Sequence, residues 1–136
     1  MKKILFISIC FVIALSSYGQ SQKTVKNLQI KSRTEMTFLY NGTKETEYIE
    51  SLKKFDAAGN EIEIIEYDEK GLTTLHQSFK YNENDDVTEE VTYNPNGKIF
   101  QTDKYTYSGK LKTQRETYDG KGKLISRKKY IYKFKE

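Results

Sequence analysis

One short phrase recurs along this chain and constrains its fold more than any other feature. An aromatic residue is followed by Asp or Asn, and Gly usually comes three residues later. The clearest copies begin at Tyr67 and Tyr118, and looser copies begin at Phe55, Tyr81 and Tyr93. Asp or Asn can bond the backbone two residues on, and Gly takes the left-handed conformation that closes a four-residue turn. Each copy therefore predicts a turn at the end of a β-strand.

The spacing of the aromatic anchors predicts the strands between the turns. The anchors lie 12, 14, 12, 14 and 11 residues apart and are Phe55, Tyr67, Tyr81, Tyr93, Tyr107 and Tyr118. Strands of seven to ten residues fit these intervals, and sequence neighbours can pair directly. We expect an all-β domain over residues 28–136, with eight antiparallel strands in an up-and-down meander that forms an open curved sheet or a small barrel. The strands are expected near residues 28–40, 45–55, 60–67, 72–81, 87–93, 98–107, 110–118 and 123–134.

The first hairpin carries its own signals. In LQIKSRTEMTFLY, apolar residues such as Met36 and Phe38 alternate with charged residues such as Arg33 and Glu35, which is typical of a half-buried strand. Asn41-Gly42 then predicts a type I′ turn, because both central positions of that turn need positive φ. Residues 41–43 also match a glycosylation sequon, but the turn is favoured because residues 1–20 have the order of a bacterial secretory leader.

The chain begins with a segment that resembles a secretory leader. Lys2 and Lys3 precede an apolar run over residues 4–15, and small and polar residues follow up to Gln20. This order predicts a signal peptide over residues 1–20, since the run is shorter than the roughly 20 apolar residues of a membrane span. We expect a periplasmic or secreted protein without a transmembrane segment after cleavage near Gly19-Gln20, with a linker over residues 21–27.

Cysteine and charge narrow the function classes further. Cys10 lies inside the leader, so the remaining chain has neither a disulfide nor thiol chemistry. A modest net charge argues against nucleic acid as a partner.

Residues 34–97 hold 15 acidic and 5 basic residues, whereas residues 98–136 hold 4 acidic and 12 basic ones. We expect the acidic early strands and the basic late strands to lie toward opposite sides of the sheet. The last strand is then expected to meet an acidic surface, either of its own chain or of a partner. Self-association is one form that such a contact could take.

Aromatic residues two positions apart share one face of a strand, and several predicted strands end in such pairs. An aromatic ladder is first a packing device, worth roughly 0.5–1 kcal/mol per cross-strand pair. Tyrosine hydroxyls left at the edge could also meet sugars or peptides, and lysines alternate with the last aromatics. The candidate binding residues are Tyr105, Tyr107, Tyr130, Tyr132, Phe134, Lys128 and Lys129.

Signals for catalysis and metal binding are weak. His76 is the single histidine and falls on a strand with Ser78, which favours a sheet-face residue over a general base. We expect no catalytic residue, no cofactor and no metal site. Paired carboxylates, such as Glu61 and Glu63, leave a small periplasmic hydrolase as the alternative function. The acidic cluster of Asp85, Asp86, Glu89 and Glu90 could hold Ca²⁺ or form a solvated turn, and the sequence leaves that choice open.

The recurring phrase resembles the YD repeat, also called the RHS repeat, of bacterial surface and toxin-delivery proteins. Residues 67–72 and 118–124 match best, residues 93–99 are a fair third match, and Phe55-Asp56 with Gly59 is a fourth, although the arginine that follows the glycine in the family is absent. Large members build a long curved sheet around cargo. The resemblance implies an exported β-sheet without catalytic residues. We therefore expect a non-enzymatic binding or structural module of the cell envelope that holds a protein or a glycan with a sheet face or edge.

Overall fold

The protein forms one open antiparallel sheet. The computed structural model describes residues 21–135, so the predicted leader lies outside the described range. The elements are α1 (Gln22–Asn27), β1 (Ser32–Asn41), β2 (Lys44–Phe55), β3 (Glu61–Tyr67), β4 (Thr73–Tyr81), β5 (Val87–Tyr93), β6 (Ile99–Ser108), β7 (Leu111–Asp119) and β8 (Leu124–Lys129). The strands pair in chain order, which confirms the meander. Because β1 and β8 lie at opposite edges, the sheet is open and not a barrel.

The recurring phrase forms the same turn five times. In the turn after β3, the Asp68 Oδ1 atom accepts hydrogen bonds from the backbone N–H groups of Lys70 and Leu72, both at 2.9 Å. The Gly71 N–H donates to the Asp68 carbonyl at 2.9 Å, and Gly71 has a φ of 76°. Equivalent backbone bonds close the turns that begin at Asp56, Asn82, Asn94 and Asp119. The predicted turn glycines all have positive φ, and Asp85 takes the glycine's place with a φ of 62°.

The first hairpin turns one residue later than the predicted type I′ turn. Asn41 pairs with Lys44, so the two central residues are Gly42 and Thr43. Gly42 has a φ of 63°, and glycine at the first central position is the pattern of a type II′ turn. The prediction located the hairpin correctly, but the turn type was wrong because only one central residue has positive φ.

A register shift accompanies every aromatic anchor. Lys54 pairs with Glu63 but Phe55 pairs with Glu61, which leaves Ile62 as an extra residue in β3. Shifts at the same place precede Tyr67, Tyr81, Tyr93, Tyr107 and Tyr118. Such β-bulges increase the local twist of a sheet and interrupt the alternation of side chains. The hairpins are therefore twisted at each turn, which simple alternation does not predict.

The sheet has two distinct faces and very little core. The front face carries Tyr105, Tyr107 and Arg115, and the back face carries His76 and Tyr93, because paired residues project to the same side. The apolar residues classed as buried among residues 21–135 are Val25, Ile64 and Val91, and the buried polar ones are Ser51, Asn60, Asp103 and Thr117. Both faces are therefore largely open to solvent.

The largest differences from the expected bounds lie at the two ends of the described chain. The expected linker contains α1, which Ser21 caps and whose Val25 is buried against the sheet end. The first strand starts at Ser32 and not at Leu28, because the Ile30 N–H still bonds the Val25 carbonyl at 3.0 Å. At the other end, β8 stops at Lys129, which pairs with Gln114. Because β7 begins at residue 111, few of its residues remain to pair with a longer β8. No helix within residues 21–135 is long and apolar enough to cross a membrane.

The acidic residues lie in the middle of the sheet and not toward its β1 side. Residues 56–97, which hold β3 to β5 and their turns, contain 11 acidic and two basic residues. In β1 the charges of Arg33 and Glu35 cancel, and β2 holds three acidic and three basic residues. The expected two-sided split is correct for the basic side alone, since residues 98–135 contain 12 basic and three acidic residues.

Candidate binding site on the front face

Three consecutive strands bring tyrosines and cations together on the front face. Tyr105 of β6 pairs with Arg115 of β7, and Arg115 pairs with Lys128 of β8. The Lys112 Nζ atom lies 4.0 Å from the ring centroid of Tyr105 and 6.0 Å from that of Tyr107. We call these five residues the front patch. It presents three cations beside two aromatic rings, an arrangement suited to an anionic ligand.

A buried carboxylate fixes the position of Arg115. The Arg115 guanidinium donates to Asp103 Oδ2 at 2.7 Å, and Thr117 and Gln101 donate to the same carboxylate at 2.5 and 3.0 Å. Asp103 is 3% exposed. Burial would raise the pKa of its carboxyl, but the hydrogen bonds from these three side chains outweigh burial and hold the pKa below its usual value. The hydrogen bond to Asp103 in turn raises the pKa of Arg115. Arg115 is thus a fixed cation on the open face.

The tyrosine hydroxyls of the site are engaged within the chain. Tyr105 donates to Glu90 Oε2 at 3.1 Å, and burial, together with the charges of Glu90 and Asp103, raises the pKa of Tyr105 to about 12. Tyr107 donates to the Val87 carbonyl at 2.7 Å. Hydroxyls expected at the edge are therefore used to join strands, and the rings and cations remain for a ligand.

The Tyr107 bond belongs to a pattern that marks one end of the sheet. Tyr81 donates to the Glu61 carbonyl at 2.7 Å, and Tyr132 donates to the Lys112 carbonyl at 2.6 Å. Each of these hydroxyls reaches a carbonyl 20 residues earlier in the chain. We call the three bonds the tyrosine locks. They tie the end of one strand to the start of the strand before it and so stabilise each pair of strands.

The seven predicted binding residues do not all lie together. Tyr105, Tyr107 and Lys128 are in the front patch, whereas Lys129 pairs with Gln114 and lies on the back face. The other three follow β8. Tyr130 donates its N–H to the Thr113 carbonyl at 3.0 Å, Tyr132 forms a tyrosine lock, and Phe134 is 79% exposed.

Sequence reasoning missed two cations of the patch, Lys112 and Arg115. Their separation of three residues places them on opposite faces of a regular strand. The register shift between Thr106 and Tyr107 leaves Thr113 as an extra residue in β7, and this brings both cations to the front face. The sequence mark of this position is the aromatic anchor Tyr107, at which the register shifts.

A second polar cluster surrounds His76 on the back face. His76 Nε2 lies 2.9 Å from Glu63 Oε1, and its ring stacks on Tyr93 with centroids 4.3 Å apart. The Lys54 Nζ atom lies 2.5 Å from Glu63 Oε2, and this hydrogen bond is the main cause that lowers the pKa of Glu63. Ser78 shares the face, as alternation predicts, and bonds the Tyr93 hydroxyl at 3.0 Å.

The paired carboxylates are separated or occupied by cations. The bulge at Ile62 sends Glu61 toward the front face, where it bonds Lys53 at 3.0 Å, and Glu63 toward the back face. Glu89 bonds Lys80 at 2.7 Å, while its neighbour Glu90 projects to the opposite face. Within residues 21–135, no group of three or more His, Cys, Asp or Glu side chains is arranged to hold a metal ion.

Comparisons with known proteins place the chain in no family. No protein-family model matches it, and no curated protein matches its sequence. The front patch is consequently defined by the geometry of this chain alone.

Proposed function

We propose that this protein is an exported, non-enzymatic binding module of the cell envelope whose front patch holds an anionic glycan. The observation that carries the proposal is the alignment of Tyr105, Arg115 and Lys128 across three strands of an open sheet face. The charges of Arg115 and Lys128 complement an anion, and the open face of a single-layer sheet leaves room for an extended chain to lie across the strands.

The chemistry of the patch favours a glycan over a protein. Protein interfaces draw most of their affinity from a desolvated apolar centre. The front patch has no such centre, since the side chains around Arg115 and Lys128 are the polar Gln101, Thr117 and Ser126 and a single apolar residue, Ile125, which is 57% exposed. Aromatic rings beside fixed cations suit the sugar rings and carboxylate or sulfate groups of an acidic polysaccharide.

We further propose that the chain is a short secreted member of the YD repeat family. The support is the recurrence of one turn geometry at five places, each beginning with the Asp or Asn of the phrase. A short member with one open sheet would bind its ligand on a surface, because it is too small to enclose cargo.

The neighbouring lysines of β8 provide a matched test of the glycan site. Lys128 and Lys129 are both exposed and lie on opposite faces. We expect the protein to bind immobilised heparin, an anionic polysaccharide probe, and not neutral dextran. Lys128→Glu should weaken heparin binding about five- to tenfold, as the loss of roughly 1 kcal/mol does, whereas Lys129→Glu should have little effect. Equal effects of the two substitutions, or no binding by the unaltered protein, would contradict the proposal.

Export has its own test. We expect the protein in the envelope or secreted fraction of a producing bacterium, with its N-terminus near Gln20, because residues 1–20 have the order of a signal peptide. N-terminal sequencing of that fraction measures this directly. An intact Met1 on the exported protein would show that the segment is not a cleaved leader.

A further inference from the structure

The first strand leaves a long apolar edge open. β1 is ten residues long, and within residues 21–135 no strand pairs with its outer side. Its side chains Met36, Phe38 and Tyr40 are 47%, 46% and 72% exposed, although Met36 and Phe38 are apolar. An edge with free N–H and C=O groups and exposed apolar side chains is a template for pairing with another strand.

The hairpin that carries this edge projects beyond the rest of the sheet. β2 pairs with β3 from Ser51 onward, so the ribbon formed by residues 36–49 has no third strand beside it. Two-stranded ribbons are marginally stable alone in water. A further strand along β1 would convert this ribbon into a three-stranded segment and shield its apolar side chains.

The charges of the two edge strands indicate which strand pairs with the open edge of β1. Residues 36–41 of β1 carry no charge, and the charges of Arg33 and Glu35 cancel. Two copies of β1 can therefore approach without repulsion. The other edge cannot pair with itself in this way, because two β8 strands would oppose Arg127, Lys128 and Lys129 to one another. The charges thus favour contact between two β1 edges over contact between two β8 edges.

We propose that β1 pairs antiparallel with β1 of a second copy, so that two eight-stranded sheets become one continuous sheet. The contact is isologous, with the same strand on both sides of a twofold axis perpendicular to the sheet. Because paired residues share a face, Met36, Phe38 and Tyr40 of both copies line one side of the junction. The contact closes on itself and gives a dimer, whereas pairing of β1 with β8 would extend without limit.

The dimer is expected to be reversible. A single pair of edge strands with a few apolar side chains gives an interface near the small end of the size range, and interfaces below about 1,200 Å² are typical of transient complexes. Backbone hydrogen bonds along the strand provide much of the contact, and the exposed side chains add to it.

Sedimentation velocity of the protein produced from its full coding sequence tests the pairing. We expect a monomer that converts to a dimer as concentration rises through the micromolar range, and no larger species. Phe38→Lys should abolish the dimer, because the twofold axis brings two lysines close together. Ile125→Lys is the matched control, since it adds the same charge to a side chain of β8 that is 57% exposed, and its dimer should be unchanged. A circular dichroism melt checks that both variants stay folded.

A charge-complementation experiment makes the geometry specific. Phe38→Glu should be monomeric for the same reason as Phe38→Lys. An equimolar mixture of the two should form a heterodimer, because opposite charges then meet at the junction. A wild-type protein that stays monomeric at all concentrations, a Phe38→Lys protein that dimerises like the wild type, or two monomeric variants that fail to associate on mixing would each overturn the proposal.

Discussion

The two edges of this sheet are protected in different ways. β8 has six residues, every one of them exposed, and three of them are cationic. β1 has ten residues, and its outer half is uncharged and partly apolar. Short edge strands and lysines discourage pairing between molecules, and β1 has neither.

This difference shows how an open sheet can direct association. A sheet that protects both edges remains a monomer, and one that protects neither risks open-ended assembly. Protection of one edge limits association to the other, and an antiparallel contact between two like edges ends at the dimer. The two ends of the strands also differ. The tyrosine locks and α1 lie at one end, and the ribbon of residues 36–49 projects from the other.

The largest expected loss of stability follows from a substitution at Gly59, where α1 packs against the turn between β2 and β3. A Cβ at Gly59 would lie 2.5 Å from the Gln22 carbonyl oxygen, and Gly59 also has a φ of 85°. We expect Gly59→Ala to destabilise the protein by about 2–4 kcal/mol, because backbone strain adds to a clash with the helix.

Gly71→Ala is the matched control for this substitution. Gly71 has a similar φ of 76° in an equivalent turn, and a Cβ added there would meet no other atom within 4 Å. Strain alone should cost about 1 kcal/mol. Urea denaturation measures both variants. Equal losses would mean that the docking of α1 adds nothing to the stability of the β1 side.

The second effect concerns the β8 side, where Asp103 holds Arg115. Because the folded-state pKa of Asp103 lies below its usual value of 3.8, the carboxylate contributes stability that is present above that value and is lost as pH falls through the folded-state pKa. Asp103→Asn should cost about 2 kcal/mol at neutral pH, since the buried carboxylate loses its charge and its ion pair with the half-buried Arg115.

The pH dependence distinguishes this role from simple packing. The difference in unfolding free energy between the wild type and Asp103→Asn should shrink below about pH 4, as protonation removes the charge from the wild type too. Denaturant midpoints between pH 7 and pH 3 measure it. A constant difference over this range would contradict the role of the carboxylate charge.

A smaller effect is expected from the lock nearest to β8. Tyr132→Phe removes the hydroxyl that bonds the Lys112 carbonyl and should cost about 0.5–1 kcal/mol. Tyr67→Phe is the control at the opposite end of the sheet, where no lock of this kind joins Tyr67 to a carbonyl within the described residues. Thermal melts compare the two variants. If Tyr67→Phe lowers stability as much as Tyr132→Phe does, the hydroxyl bond to the Lys112 carbonyl does not stabilise the protein beyond the general effect of losing a tyrosine hydroxyl.

The smallest effect is expected when β8 is made to resemble β1. Replacing Lys128 by Thr and Lys129 by Val removes two cations from the β8 edge and keeps residues suited to a strand. We expect weak new association beyond the dimer, because both edges can then pair. Sedimentation velocity at high protein concentration measures it. A double variant with wild-type sedimentation would show that these lysines do not protect the edge.

The turns and the order of the strands could be predicted from sequence because each depends on local chemistry. Asp68 and Gly71 form their turn through bonds inside a five-residue segment, and the spacing of such segments determines the strands. Neighbouring strands then pair in sequence order.

The front patch could be predicted only in part because it depends on bulges and distant contacts. Tyr105 and Lys128 were found from alternation, but the extra residue Thr113 reverses the alternation that separates Lys112 from Arg115. The partner of Tyr107 is a backbone carbonyl 20 residues away, which no local pattern identifies. α1 was missed since six residues are too few for a periodic pattern, and its stability comes from docking beside Gly59.

Hydrogen exchange at the two edges tests the central claim most directly. Within residues 21–135, the outward-facing amides of β1 and those of β8 have no partner strand. At low protein concentration both sets should exchange rapidly. At high concentration the β1 amides should become protected while the β8 amides stay unprotected. Protection that does not change with concentration, or that rises equally at both edges, would contradict the account of one protected and one pairing edge.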